Sequence, residues 1–300
     1  MERKPWHGVM VATALPLRPG DGPGGHAVDH DGYAAHCRWL VDNGCDGVVA
    51  NGSLGEYQTL TPGERAKVIE TAVAAVGGER VMAGAGAYGA AESRRWAEQA
   101  REAGCGSVLL LPPNAYRADE RAVLDHYREV AAAGLPVVAY NNPYDTKVDL
   151  TPALLARLHE EGLIVAVKEF SGDVRRAYEL AELAPGLDLL VGSDDVLLEL
   201  AVAGAVGWVA GYPNALPASS VALYRAAVAG DLAAALPLYR TMHPLLRWDS
   251  RTEFVQAIKL SMDLAGRYGG PCRHPRLPLT AEQAAAVRAA TEKALAEGLK

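Results

Sequence analysis

The chain has 300 residues, half of them hydrophobic, enough for one large core and a single α/β domain. A formal charge of −7 without any clustered Lys/Arg run gives no footing for a nucleic acid backbone and leaves a small acidic metabolite as the compatible partner. No uncharged apolar stretch of about eighteen residues occurs, and the start MERKPWHGVM lacks the apolar core and small-residue cleavage site of an export signal.

Eight short apolar or β-branched runs predict strands. In chain order they are GVMVATAL (8–15), DGVVAN (46–51), RVMAGAG (80–86), SVLLLPP (107–113), PVVAYNN (136–142), IVAVKEF (164–170), LDLLVGS (187–193) and AVGWVAG (205–211). Amphipathic segments such as YAAHCRWLVDNG and TPGERAKVIETAVAAVGG lie between them, several opening on Thr-Pro or an acidic turn and closing at Gly. Eight parallel-type strands, each followed by a helix, predict an α/β fold: a closed (β/α)8 TIM barrel over residues 1–215. Residues 216–300 turn Ala-rich and are expected to be C-terminal helices that complete and extend it. The Gly-rich PGDGPGGH reads as a loop after the first strand. Cys37, Cys45, Cys105 and Cys272 show no CxxC spacing, which fits reduced thiols and a cytoplasmic protein.

In such a barrel the chemistry sits at the C-terminal strand ends. There the sequence offers NGSLGE (51–56), YNNPYD (140–145), KEF (168–170) and GSDD (192–195). Lys168 closes an apolar run, where an ammonium is starved of water. An amine nucleophile must be neutral, and bringing a lysine from ~10.4 to near 7.5 corresponds to about 4 kcal/mol, which desolvation can supply. The plain alternative is an ion pair with Glu169, but neighbours on a strand point to opposite faces. Tyr140, at the end of the preceding strand, is placed to relay protons. In GSLGE two glycines permit a tight turn, the Ser53 hydroxyl and the amides of Ser53 and Leu54 can cradle a carboxylate, and Glu56 reads as a buttress of that turn. Such charge-assisted bonds contribute roughly 1.5 to 3 kcal/mol each.

Other chemistries find less support. His26, His30 and His36 lie near Asp29 and Asp31, but without H-E-x-x-H spacing, and one of the aspartates reads as a helix cap. There is no G-x-S-x-G elbow, and GAGAYG matches a dinucleotide fingerprint only as letters.

Taken together these segments resemble the dihydrodipicolinate synthase / N-acetylneuraminate lyase family of Schiff-base aldolases and lyases. The similarity runs from GVMVATALPL to GGPCRHPRLPL, and its strongest pieces are GSLGE, YNNP, VAVKEFSGD and GSDD. The resemblance implies an imine-forming Lys168, Tyr140 as proton shuttle, Ser53 with the Leu54 amide as the grip on a 2-oxo acid carboxylate, and Gly192 and Val209 lining the pocket. It implies no metal or organic cofactor, and a homo-oligomer built as a dimer of dimers.

Three departures from the family pattern stand out. Leu54 replaces a second hydroxyl residue. Asn114 and Ala115 stand where the synthases carry a Tyr-Tyr pair, so Tyr116 serves there only if its loop shifts. Asp145 replaces an arginine that holds the carboxylate of the aldehyde partner, turning attraction into repulsion. The aspartate favours a catabolic lyase, dehydratase or deaminase acting on a 2-oxo acid with a hydroxylated or amine-bearing part, or on its cyclic imine. The alternatives are the synthase itself, with Arg117 or Arg251 supplying the missing charge, a 2-oxo acid binding member without turnover, and a divalent-metal aldolase.

Overall fold

The computed structural model describes residues 3–300. Its strands are β1 (Gly8–Ala12), β2 (Leu17–Pro19), β3 (His26–Val28), β4 (Gly47–Ala50), β5 (Val81–Gly84), β6 (Ser107–Leu110), β7 (Val137–Asn141), β8 (Ala166–Glu169), β9 (Asp188–Val191) and β10 (Gly207–Ala210). All but β2 and β3 pair in parallel and close into one barrel, with β1 flanked by β10 and β4. The eight barrel strands fall inside the eight predicted runs. Alternation along each strand sorts its side chains. Met10, Val49, Met82, Leu109, Val138, Leu190 and Val209 fill the interior, with Trp6 packed among them. Their neighbours Val11, Val48, Ala83, Leu110, Val167 and Trp208 face the surrounding helices. Burial on both faces is why these runs read as continuously apolar.

The helices are α1 (His30–Asp42), α2 (Pro62–Val76), α3 (Ala90–Glu102), α4 (Glu120–Ala131), α5 (Pro143–Thr146), α6 (Pro152–Glu160), α7 (Arg175–Leu183), α8 (Leu197–Val202), α9 (Pro217–Val228), α10 (Leu232–Asp249), α11 (Phe254–Leu264) and α12 (Ala281–Ala296). The Thr-Pro openings are caps: Thr61 accepts from the Glu64 amide and Thr151 from the Leu154 amide. Asp29 caps α1, accepting from the Gly32 amide at 2.9 Å. Helix α9 follows the last barrel strand and packs against β1, while α10, α11 and α12 pack on one another beyond it.

The segment around PGDGPGGH differs from the expected loop. It is the tip of a hairpin in which β2 and β3 pair antiparallel, Leu17 opposite Val28. Three-residue strands are too short to show a period, and the fully buried Leu17 anchors the pair. Gly24 and Gly25 take φ of +67° and +77° at the tip, where a side chain would be strained.

Candidate active site

A cavity of about 500 Å³ opens at the C-terminal ends of the barrel strands. Lys168 and Tyr140 reach it from inside the barrel, Ser53 and Leu54 from the turn after β4, and Asp145 from the one-turn helix α5. Part of the wall comes from outside the barrel, through Asp249, Ser250, Arg251 and Thr252 at the junction of α10 and α11.

Strand register brings the first two residues together. Tyr140 and Lys168 are partners on β7 and β8, so both side chains point inward at the same height. Lys168 is 7% exposed, with Nζ 4.1 Å from the centre of the Tyr140 ring and 5.5 Å from that of Phe170. No carboxylate oxygen comes within 4.0 Å of that nitrogen among the described residues. Burial pushes the Lys168 amine below its ordinary value, against the opposing pull of Asp249 and Asp194. Glu169 is on the other face, where it accepts from Asn141 Nδ2 at 3.0 Å and the Ser171 amide at 2.6 Å. The Lys168–Glu169 ion pair is therefore absent.

Gly192 does not line the cavity but sits behind the lysine stem. A Cβ there would stand 2.3 Å from the Glu169 carbonyl oxygen and 3.1 Å from Lys168 Cγ. Val209 points into the barrel and lines the cavity. Asn142 ties Tyr140 to Asp145: its Nδ2 donates to the Tyr140 hydroxyl at 3.3 Å and to Asp145 Oδ2 at 2.8 Å. Since the tyrosine oxygen accepts from Asn142, its own proton is free to point elsewhere. Burial raises the Tyr140 hydroxyl far above its usual range, keeping it protonated.

The 51–56 turn is built differently from expectation. The left-handed residues are Asn51 and Glu56, with φ of +56° and +53°, not the glycines. Gly55 serves close approach instead, since a Cβ there would lie 3.2 Å from the Thr13 carbonyl. Glu56 is buried and holds the turn, pairing with Lys259 Nζ at 2.7 Å and accepting from the Arg273 amide at 2.9 Å.

Tyr116 is 64% exposed and does not line the cavity of its own chain. The loop after β6 brings in Asn114 instead and does not make the shift that would carry Tyr116 there. Arg117 lies in a separate depression, whereas Arg251 lines the cavity. The three histidines do not converge on one site. Buried His36 meets Asn214 Oδ1 at 2.9 Å, while His30 meets Thr71 at 3.3 Å.

Sequence reading missed Asp249 and Arg276, both on the cavity wall. Their only signal is the polar DSRT and the arginine-rich RHPR between apolar helices, which carries no strand-end position to place it.

The Dihydrodipicolinate synthetase family matches residues 7–294. A 4-hydroxy-tetrahydrodipicolinate synthase of Acidothermus cellulolyticus is 35% identical, covering 95% of this chain and 91% of that one. An uncharacterized DapA-like lyase of Halobacterium salinarum is also 35% identical, covering 94% and 92%. The crystal structure of dihydrodipicolinate synthase from Aquifex aeolicus superposes with a TM-score of 0.89 at 28% identity, covering 98% of this chain and 99% of that one. Barrel, cavity and relatives define an enzyme of the lyase class, class I aldolase type. The chain belongs to the dihydrodipicolinate synthetase family.

Proposed function

We propose that Lys168 attacks the C2 carbonyl of a pyruvate-like 2-oxo acid and that the resulting imine serves as electron sink for cleavage or elimination at C3 or C4. One observation carries this: a buried lysine amine, free of any ion pair among the described residues, facing a cavity of about 500 Å³ beside a protonated tyrosine. Tyr140 moves protons, and Ser53 with the Leu54 amide holds the carboxylate.

Asp145 sets the substrate class. Its carboxylate, held by Asn142, repels an anionic aldehyde and suits a hydroxyl or an amine-derived nitrogen. The favoured reaction is therefore aldol cleavage, dehydration or deamination of a hydroxylated 2-oxo acid or its cyclic imine. A second reading, condensation of pyruvate with aspartate semialdehyde, is favoured by the names of the relatives and by Arg251 in the cavity, which supplies the positive charge lost at Asp145.

The enzyme works in the cytoplasm, as its four free cysteines suggest, and as a homotetramer. Tyr88 and Tyr116, 76% and 64% exposed on loops after adjacent strands, are consistent with a partner subunit covering them.

Borohydride added with pyruvate should attach one three-carbon adduct at Lys168. Labelling elsewhere, or none with a panel of 2-oxo acids, removes the proposal. Turnover of hydroxylated sugar acids or pyrroline carboxylates, set against condensation with aspartate semialdehyde, separates the two readings.

A further inference from the structure

Near the lysine are two buried carboxyls, Asp194 and Asp249, neither paired with a cation among the described residues. They are not equivalent. Asp194 follows β9 and is enclosed by donors: Trp208 Nε1 at 2.9 Å, the Tyr212 amide at 2.9 Å and the Gly211 amide at 3.1 Å. Three N–H groups stabilise a carboxylate, so Asp194 holds the negative charge. Asp249, the last residue of α10, receives only the Asp194 amide, at 3.4 Å. It lines the same cavity as Lys168, and its carboxyl oxygens lie more than 4.0 Å from the amine. Ser250 Oγ donates to Asp195 Oδ1 at 2.8 Å and pins this end of α10 to the loop after β9.

From this geometry we infer that Asp249 is a catalytic acid: as COOH it protonates the departing hydroxyl of the Lys168 carbinolamine, and as carboxylate it becomes the counter-ion of the iminium. This rests on the imine reading above. The step balances. Amine and ketone first combine to the carbinolamine; the C–O bond then breaks as the hydroxyl takes the Asp249 proton and leaves as water, and the nitrogen lone pair forms C=N⁺. A cation is created where water is scarce, and the anion appears beside it in the same step, so no net charge is created in the low-dielectric site. Hydrolysis of the product imine runs the step backwards and returns the proton.

The surrounding groups agree. Lys168, Asp194, Asp195, Tyr140, Tyr212 and Arg251 are the titratable or charged residues around Asp249. Burial and the Asp194 charge hold the Asp249 carboxyl well above the usual range, while Asp194 is raised to about 6. Burial thus disfavours the charged form of both the acid and the amine that share the cavity.

The test uses the full-length enzyme and pyruvate. Infrared difference spectra of the unmodified protein should show a protonated-carboxyl band that disappears when pyruvate binds, and Asp249→Asn should lack that band. In Asp249→Asn, borohydride should still label Lys168 after long incubation, with the rate of imine formation slowed on the order of 10²-fold. Formate or acetate should restore the rate in Asp249→Gly, a rescue that a merely structural role would not give. A carboxyl band unaltered by pyruvate, or imine formation in Asp249→Asn within threefold of the parent, overturns the inference while leaving Lys168 in place. Absence of any adduct in the parent enzyme removes both.

Discussion

Lys168 Nζ lies 4.1 Å from the centre of the Tyr140 ring, and the two residues are register partners on adjacent parallel strands. The ring face favours the ammonium by roughly 0.5 to 2 kcal/mol. Holding the amine neutral near pH 7.5 requires about 4 kcal/mol in the other direction. Desolvation must therefore outweigh both the ring and the two aspartates, and it is the largest influence on this lysine. The ring also contributes to that desolvation, covering the nitrogen that it weakly attracts.

Tyr140→Phe separates these two roles of the tyrosine. The ring stays over the amine, and only the hydroxyl that meets Asn142 is lost. We expect kcat to fall by about 10² to 10³-fold with KM nearly unchanged, and borohydride to label Lys168 as before. A kcat within tenfold of the parent enzyme would show that the proton moves through another group.

Gly192→Ala tests the space behind the lysine. The new methyl would sit 2.3 Å from a backbone carbonyl of β8, which cannot rotate away as a side chain can. The strand must shift and carry Lys168 with it. The expected cost is about 1 to 3 kcal/mol of stability, with imine trapping slowed at least tenfold. Unchanged melting and unchanged trapping would show that the barrel absorbs the methyl without moving the amine.

Barrel and lysine were legible for one reason: strands buried on both faces leave apolar runs, and a charge at the end of such a run is conspicuous. The hairpin of β2 and β3 left no such trace, because three residues cannot show alternation. The 51–56 turn was legible as a turn, but its left-handed positions fell on Asn51 and Glu56; Asn51 is held by Arg65 on the next helix, and the partners of Glu56, Lys259 and Arg273, come from the far end of the chain. Asp249 and Arg276 reach the cavity only because the C-terminal helices pack across its edge, a tertiary fact with no local pattern.

Asp145 is open to a charge-reversal experiment. Its carboxylate lines the cavity and is held by Asn142 at 2.8 Å. Asp145→Arg should raise kcat/KM for aspartate semialdehyde, an anionic aldehyde, and lower it for hydroxylated substrates, moving the ratio at least a hundredfold. Asp145→Asn should lower the second value without raising the first. Equal changes for both classes in Asp145→Arg would assign Asp145 to support of the loop, with Arg251 left to read the charge.

His36 sets a pH limit on stability. Asn214 Oδ1 accepts from its Nε2 and from the Ala14 amide, so the ring proton is on Nε2 and buried Nδ1 has no partner. Burial pushes the imidazole down to about 4, while the unfolded chain keeps the ordinary value near ~6.5. Between these values the unfolded state binds the extra proton. Stability is therefore full above about pH 6.5 and is lost as the pH falls toward 4, by about 2 kcal/mol at pH 5. Asp194, raised to about 6, acts in the opposite sense over part of this window, because its folded form takes up a proton first. Comparing two variants cancels that contribution. His36→Gln keeps a donor for Asn214 and removes the titration, so its urea-unfolding free energy should be lower than the parent's at pH 7.5 and close that gap by about 2 kcal/mol at pH 5. Parallel losses in the two proteins would show that another group carries the acid sensitivity.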